Sequence, residues 1–181
     1  DIVCLAKSIG GGFSLAAFAS TRRVMGLISD HRVFHGGTYN TNPVAMAAGL
    51  ATFREVLTPA AYEHVNRLNK KLVDGYEKEV KKSGLDAYLA SAGSNGALMF
   101  FPKPIRNYRD WLKIDSEIWR HYWFAMVNRG VMAQPYWWDE QWTVSVAHTD
   151  ADIDRHLEAF AEVAPALAAA QKEPHVVTAA H

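Results

Sequence analysis

The sequence predicts an α/β fold in which the end of a large α/β domain is followed by a small α+β domain. Three observations point there. The chain opens with an apolar, β-branched run, Ile2-Val3-Cys4-Leu5-Ala6, of the length of a buried strand. Two helix starts of one kind follow, Asn42-Pro43 and Thr58-Pro59. After Gly84 the texture changes to short strands broken by glycine and proline and closed by a last amphipathic helix.

A buried strand needs neighbours on both sides, and too few matching strands follow Ile2–Ala6 to surround it, so a longer N-terminal portion is expected before Asp1. Gly10-Gly11-Gly12 leads to Phe13–Ala19, apolar enough for a second strand, then to a short polar segment at Thr21-Arg22-Arg23 and a loop at His35–Thr41. Asn42 can cap free helical N–H groups, and Pro43 at the first helical position has none to satisfy. That helix is expected to reach Leu57, with the small residues Ala45 to Gly49 marking a face packed closely on another backbone. From Thr58-Pro59 onward Tyr62, Val65, Leu68, Leu72, Tyr76 and Val80 recur at helical spacing as far as Gly84, a C-terminal cap.

Tyr88–Ser91 and Ala97–Phe101 read as strands, Ser116–Asn128 as a helix, and Val131–Ala133 and Trp142–Ala147 as two more strands joined by the aromatic loop Tyr136-Trp137-Trp138-Asp139-Glu140. Thr149 and Asp152 form a capping box for a helix carrying Ile153, Leu157, Phe160 and Val163 on its apolar face. The expected domains are therefore 1–57, 58–167 and a mobile tail, 168–181.

Composition narrows the function. The 181 residues carry 19 basic and 19 acidic side chains, which leaves no electrostatic footprint for nucleic acid. The basic stretch Lys70–Lys82 is interrupted by Asp74, Glu77 and Glu79 and reads as a solvated helix face. No run approaches the roughly 18 apolar residues of a membrane span. Cys4 is the sole cysteine, so no internal disulfide can form, and a cytoplasmic location is expected. His31 and His35 are four apart but lack a second pair of ligands, so no metal site is expected. His148, at a strand-to-helix junction, fits a hydrogen-bonded structural role better than that of a base.

Lys7 is the residue most able to do chemistry. An ammonium leaving a buried strand must find a partner, reach solvent along its apolar stem, or lose its proton and become an amine nucleophile able to form a Schiff base with an aldehyde. The glycines at 10, 11 and 12 would let a bulky group lie close to the backbone.

The block Leu5-Ala6-Lys7-Ser8-Ile9-Gly10-Gly11-Gly12, then Ala16-Ala17-Phe18-Ala19, then Gly37-Thr38-Tyr39-Asn40-Thr41-Asn42-Pro43-Val44-Ala45-Met46-Ala47-Ala48 resembles the class-III aminotransferases, which are fold-type-I enzymes dependent on pyridoxal 5'-phosphate. The likeness is greatest to the glutamate-1-semialdehyde aminomutase branch and continues through Gly130-Val131 and Ser145–His148. The resemblance implies that Lys7 is the catalytic lysine holding the cofactor. It implies that Gly37 and Thr38 contact the phosphate of the neighbouring subunit, in a homodimer with shared active sites. It also implies transfer of an amino group from a small-molecule amino donor to a keto acid acceptor. Aminomutase or racemase chemistry on the same cofactor is the first alternative, and a non-catalytic scaffold or binding homologue the second. Trp137, Trp138 and Glu140 are the candidate substrate residues, because the loop that carries them would lie near the substrate entrance of such a fold. Trp119, Trp123 and Phe124, at packing spacing on an expected helix, read as core or subunit-contact aromatics.

Overall fold

A computed structural model describes residues 1–138 and 140–173. The chain divides into two compact units after Ala61.

In the first unit, β1 (Ile2–Leu5) pairs antiparallel with β2 (Ala17–Ser20), with Ile2 opposite Ser20 and Leu5 opposite Ala17. Between them Lys7–Gly10 forms a 3-10 turn that buries Ile9 and Gly10. The burial expected of β1 is not found: all four of its residues are exposed, because among the described residues only β2 flanks it. Phe13–Leu15 stays outside the strand expected there. The polar segment at Thr21 opens a helix, α1 (Arg22–Ser29), whose first bonds run from the Val24 and Met25 N–H groups to the Thr21 carbonyl.

α2 (Pro43–Ala51) begins where Asn42 and Pro43 place it, with the Asn42 carboxamide oxygen accepting from the Val44 and Ala45 N–H groups at 3.0 and 3.2 Å. The small residues have the expected purpose at Gly49. A methyl group there would come within 2.5 Å of the Leu15 side chain and 3.6 Å of the Ile9 carbonyl. α2 ends earlier than expected, in a π-helical turn over Thr52–Val56. The Thr52 hydroxyl donates to the Ala48 carbonyl at 2.9 Å, the kind of back-bonding that disturbs a helical ladder.

The second unit, from Tyr62 onward, has its core between one long helix and a small sheet. α3 (Pro59–Ser83) buries Val65, Leu68, Leu72 and Tyr76, as their spacing predicts, and Gly84 follows at φ +70°, a left-handed cap that favours glycine. β3 (Tyr88–Ala92) and β4 (Asn95–Met99) form a hairpin, with Gly93 at φ +58° in the tight turn. After the short α4 (Tyr108–Trp111), which the sequence reading did not anticipate, α5 (Ser116–Val127) is capped by Asp115, whose carboxylate accepts from the Ile118 N–H at 3.0 Å. β5 (Trp142–Thr143) completes the order β3-β4-β5. α6 (Asp150–Ala170) carries the expected capping box and packs Ile153, Phe160, Val163 and Leu167 into the core.

Three expectations fail here for local reasons. Val131–Ala133 forms no strand, since the Val131 N–H turns back to the Met126 carbonyl and closes α5. The strand at Trp142–Ala147 stops after Thr143, where its pairing with Asn95 ends and the chain turns through Ser145–His148. Where a tail is expected from Ala168, α6 continues to Ala170 and Ala168 is buried; residues 174–181 lie outside the described residues.

Candidate functional site

Lys7 is the first residue of the turn that ends β1, and its backbone is left-handed, at φ +57°. For a residue with a Cβ that conformation costs about 1–2 kcal/mol, and such outliers concentrate where a backbone is held for a purpose. The next turn needs glycine for conformation: Gly11 and Gly12 sit at φ +57° and +103°. Gly10 needs it for packing, because a methyl there would stand 3.0 Å from the Leu15 Cβ. Gly12 faces open space, with nothing within 4 Å of the position a Cβ would take. Lys7 itself is exposed in this chain.

Gly37 and Thr38 belong to the same unit, in an exposed turn closed by the Asn40 N–H on the Gly37 carbonyl at 3.0 Å. His35 ties this loop to β2, with its ring edge-on to Phe18 at 5.0 Å and its Nε2 3.3 Å from the Asn40 amide nitrogen. At the loop's far end Thr41 is also left-handed, at φ +57°, and hands the chain to the Asn42 cap. No hydrogen bond joins Lys7 to Gly37 or Thr38 among the described residues; β1, β2 and the His35–Phe18 contact link their elements.

The aromatic loop lies in the second unit and splits into two functions. Trp137 and Trp138 stack at 4.2 Å, Trp138 approaches Trp111 at 6.5 Å, and Trp111 stacks on Tyr108 at 5.3 Å, giving a ladder of rings with Trp137 and Tyr108 exposed at its ends. Glu140 is exposed, its N–H on the Trp137 carbonyl at 3.2 Å, and Asp139 lies outside the described residues. Tyr136 turns away to pack against Trp119, Trp123 and Phe124. Of those three, Trp119 is core, whereas Phe124 is half exposed. Trp142 is core as well: it stacks on Tyr76 at 5.3 Å and lies over Gly96, where a Cβ would collide with the indole.

His148 is structural. Its Nδ1 accepts from the Ser145 N–H at 2.9 Å, and its carbonyl lies 2.9 Å from His64 Nε2. Among the described residues no group of three or more His, Cys, Asp or Glu side chains is placed to hold a metal. Nearby, hydrogen bonds from Arg67 and Lys71 hold the Asp150 carboxyl down at about 2. Two features escaped the sequence reading. The buried Tyr76 hydroxyl links Tyr122 to His156, and burial, with some help from His148, holds the His156 imidazole down at about 4. Gln134 is buried beside them in a cleft. The one signal available was the four-residue spacing of Asp152 and His156 on α6.

The sequence matches the class-III aminotransferase family over residues 1–163. It is 35% identical over 164 residues to the glutamate-1-semialdehyde 2,1-aminomutase of Desulfatibacillum aliphaticivorans, covering 90% of this chain and 38% of that protein. The chain thus spans about two fifths of the length of the curated relatives it matches. Among solved structures, a β-phenylalanine aminotransferase from Variovorax paradoxus superposes with a TM-score of 0.79 at 29% identity, over 93% of this chain and 39% of that one. A glutamate-1-semialdehyde aminomutase from Pseudomonas aeruginosa PAO1 reaches 0.82 at 23% identity, over 92% and 39%, and shares the fold. With the lysine turn, the Gly37-Thr38 turn and the Asn42-capped helix all inside the matched region, the chain belongs to the class-III aminotransferase family.

Proposed function

We propose that this chain supplies the lysine-bearing part of a pyridoxal-phosphate-dependent aminotransferase that moves an amino group between an amino compound and a keto acid. The observation that carries the reading is Lys7: an exposed amine at the end of β1, on a left-handed backbone, followed by a turn that leaves open space at Gly12. These residues fit the cofactor, since a planar ring can approach the Lys7 amine without meeting a side chain at Gly12. When bound, pyridoxal phosphate supplies an aldehyde and an electron-withdrawing ring.

The chain's own residues do the rest. Lys7 Nζ would hold the cofactor at its aldehyde and, when free, would carry a proton to and from the substrate carbon. Thr38 offers a hydroxyl and an N–H to a phosphate oxygen, and Gly37 allows the close approach. Residues 1–57 belong in this reading to the large cofactor-binding domain and 58–167 to the small one, and the resemblance supports a homodimer in which Gly37 and Thr38 serve the partner's site. Trp137 and Trp138 face the substrate with Glu140 beside them, favouring an aromatic or bulky apolar amino compound; the β-phenylalanine aminotransferase at 29% identity supports that preference. A cytoplasmic location is proposed from the single cysteine.

A second reading, an aminomutase, is favoured by the names of relatives at 35% identity. The full-length protein, loaded with cofactor, separates the two. Product that forms only when a keto acid is added supports amino transfer, whereas product without added acceptor supports the aminomutase. No turnover under either condition would leave a binding homologue.

A further inference from the structure

A leucine outside the proposed chemistry joins the Lys7 turn to α2. Within the turn Lys7–Gly10 the buried residues are Ile9 and Gly10. Leu15, half-buried, lies between Gly10 and the middle of α2. Its Cβ stands 3.0 Å from the position a Cβ would take on Gly10, and its Cδ2 stands 2.5 Å from the corresponding position on Gly49, which is itself buried. Leu15 therefore fills space left by two missing methyl groups, one on the lysine turn and one on the helix. Thr52 supplies a further stop: buried, with its hydroxyl on the Ala48 carbonyl at 2.9 Å, it places Oγ1 3.0 Å from where a Cβ on Gly11 would stand.

These contacts bear on Lys7 because its backbone is left-handed, at φ +57°. A residue with a side chain stays in that region only where its surroundings over-determine it. The main chain closes the turn with the Gly11 N–H on the Ser8 carbonyl at 3.1 Å and the Phe13 N–H on the Gly10 carbonyl at 3.0 Å. Those bonds fix the shape of the turn but not where it sits on α2. Packing sets the seat, and Leu15 is its tightest point, since the Ile9 carbonyl lies at an ordinary 3.6 Å from the Cβ position of Gly49.

We propose that Leu15 is a positioning residue for Lys7: wedged between Gly10 and Gly49, it sets how the lysine turn is seated on α2 and hence the direction from which the Lys7 amine meets a bound cofactor. The inference rests on the reading of Lys7 as the lysine that holds pyridoxal phosphate. Conjugation of that linkage with the ring makes the pH at which the visible band titrates depend on the approach of the amine. A change in global stability alone leaves that midpoint where it is in the folded protein.

The test uses the full-length protein loaded with pyridoxal phosphate. Borohydride reduction and peptide mapping of the parent come first, and an adduct on a lysine other than Lys7 overturns the Lys7 reading and the wedge together. With the adduct on Lys7, the visible band is titrated with pH in Leu15→Ala, Gly49→Ala and the double variant. Leu15→Ala removes the wedge and Gly49→Ala drives its Cδ2 from its place, so each is expected to move the midpoint by at least about half a pH unit. In the double variant the new methyl takes up part of the space that Leu15 vacates, so the midpoint is expected to lie closer to the parent's than in either single variant. Leu15→Met, which nearly keeps the volume, is expected to keep the parent midpoint. With the adduct on Lys7, an unmoved midpoint in Leu15→Ala, or shifts that merely add in the double variant, would overturn the wedge alone. If Gly49→Ala fails to fold, Leu15→Ala against Leu15→Met decides, and equal midpoints for those two would overturn the proposal.

Discussion

The indole N–H of Trp142 donates to the side-chain oxygen of Asn69 at 2.8 Å, joining β5 to the middle of α3 inside the core. Asn69 spends its two amide hydrogens on Ser91 Oγ and on the carbonyls of Gly93 and Asn95, so one buried carboxamide ties the long helix to the β3–β4 hairpin and to β5. Each polar atom in this knot is satisfied, and removing one partner strands the others.

Asn69→Leu is therefore expected to destabilise the second unit by about 2–3 kcal/mol, since it takes their Asn69 partner from the Trp142 N–H and the Gly93 carbonyl and leaves the Asn95 carbonyl with Ser91 Oγ. Trp142→Phe, which keeps a ring over Gly96 and on Tyr76, should cost less, about 1–2 kcal/mol. Urea unfolding followed by circular dichroism measures both. A loss below about 0.5 kcal/mol for Asn69→Leu would show that the knot contributes little.

His156 makes the stability depend on pH. Burial, and secondarily His148, holds its imidazole at about 4, below the ordinary 6.5, so the unfolded chain takes up the proton first as pH falls. The stabilisation is complete above about 6.5 and is lost progressively down to about 4, by up to about 3 kcal/mol. His156→Gln should flatten the curve in that window while the parent loses stability. Parallel midpoints for the two proteins between pH 7 and pH 4.5 would contradict this account.

Trp137 is exposed whereas Trp138 packs against the core, so truncation of Trp137 tests specificity with the smaller loss of structure. Trp137→Ala and Trp138→Ala are expected to lower kcat/KM for an aromatic amino donor by about 3- to 10-fold more than for a small aliphatic one, the value of one ring-on-ring contact. The thermal midpoint should move little for Trp137, which is 45% exposed, and more for the half-buried Trp138. Equal losses for both donors would assign the pair to structure.

What could be read in the sequence was local. The Asn42-Pro43 start, the capping box at Thr149 and Asp152, and the apolar stripe of α3 each depend on a few neighbouring residues, and each stands where its pattern predicts. The misreadings arose across longer distances. The core role of Trp142 could not be read locally, because its partners, Asn69, Tyr76 and Gly96, lie far away in the chain. The burial of β1 was inferred from its composition, but burial depends on neighbouring strands, and in this chain β2 alone lies beside it among the described residues. α1 was missed because the arginines after Thr21 masked the helical spacing of Val24, Leu27 and Ile28. At the candidate site, Lys7, Gly37 and Thr38 could be picked out from a run of motifs. Gln134 and His156 could not, because an orphaned amide and a histidine joined to a pair of buried tyrosines exist only once the chain has folded.

The most direct test of the account concerns Lys7. The full-length protein and its Lys7→Ala variant are each loaded with pyridoxal phosphate, reduced with borohydride, digested and mapped by mass spectrometry. The account expects a stable pyridoxyl adduct on the peptide containing Lys7 in the parent, and loss of both that adduct and the visible band of the bound cofactor in Lys7→Ala. An adduct on another lysine of the parent, or an unchanged visible band in the variant, would contradict it.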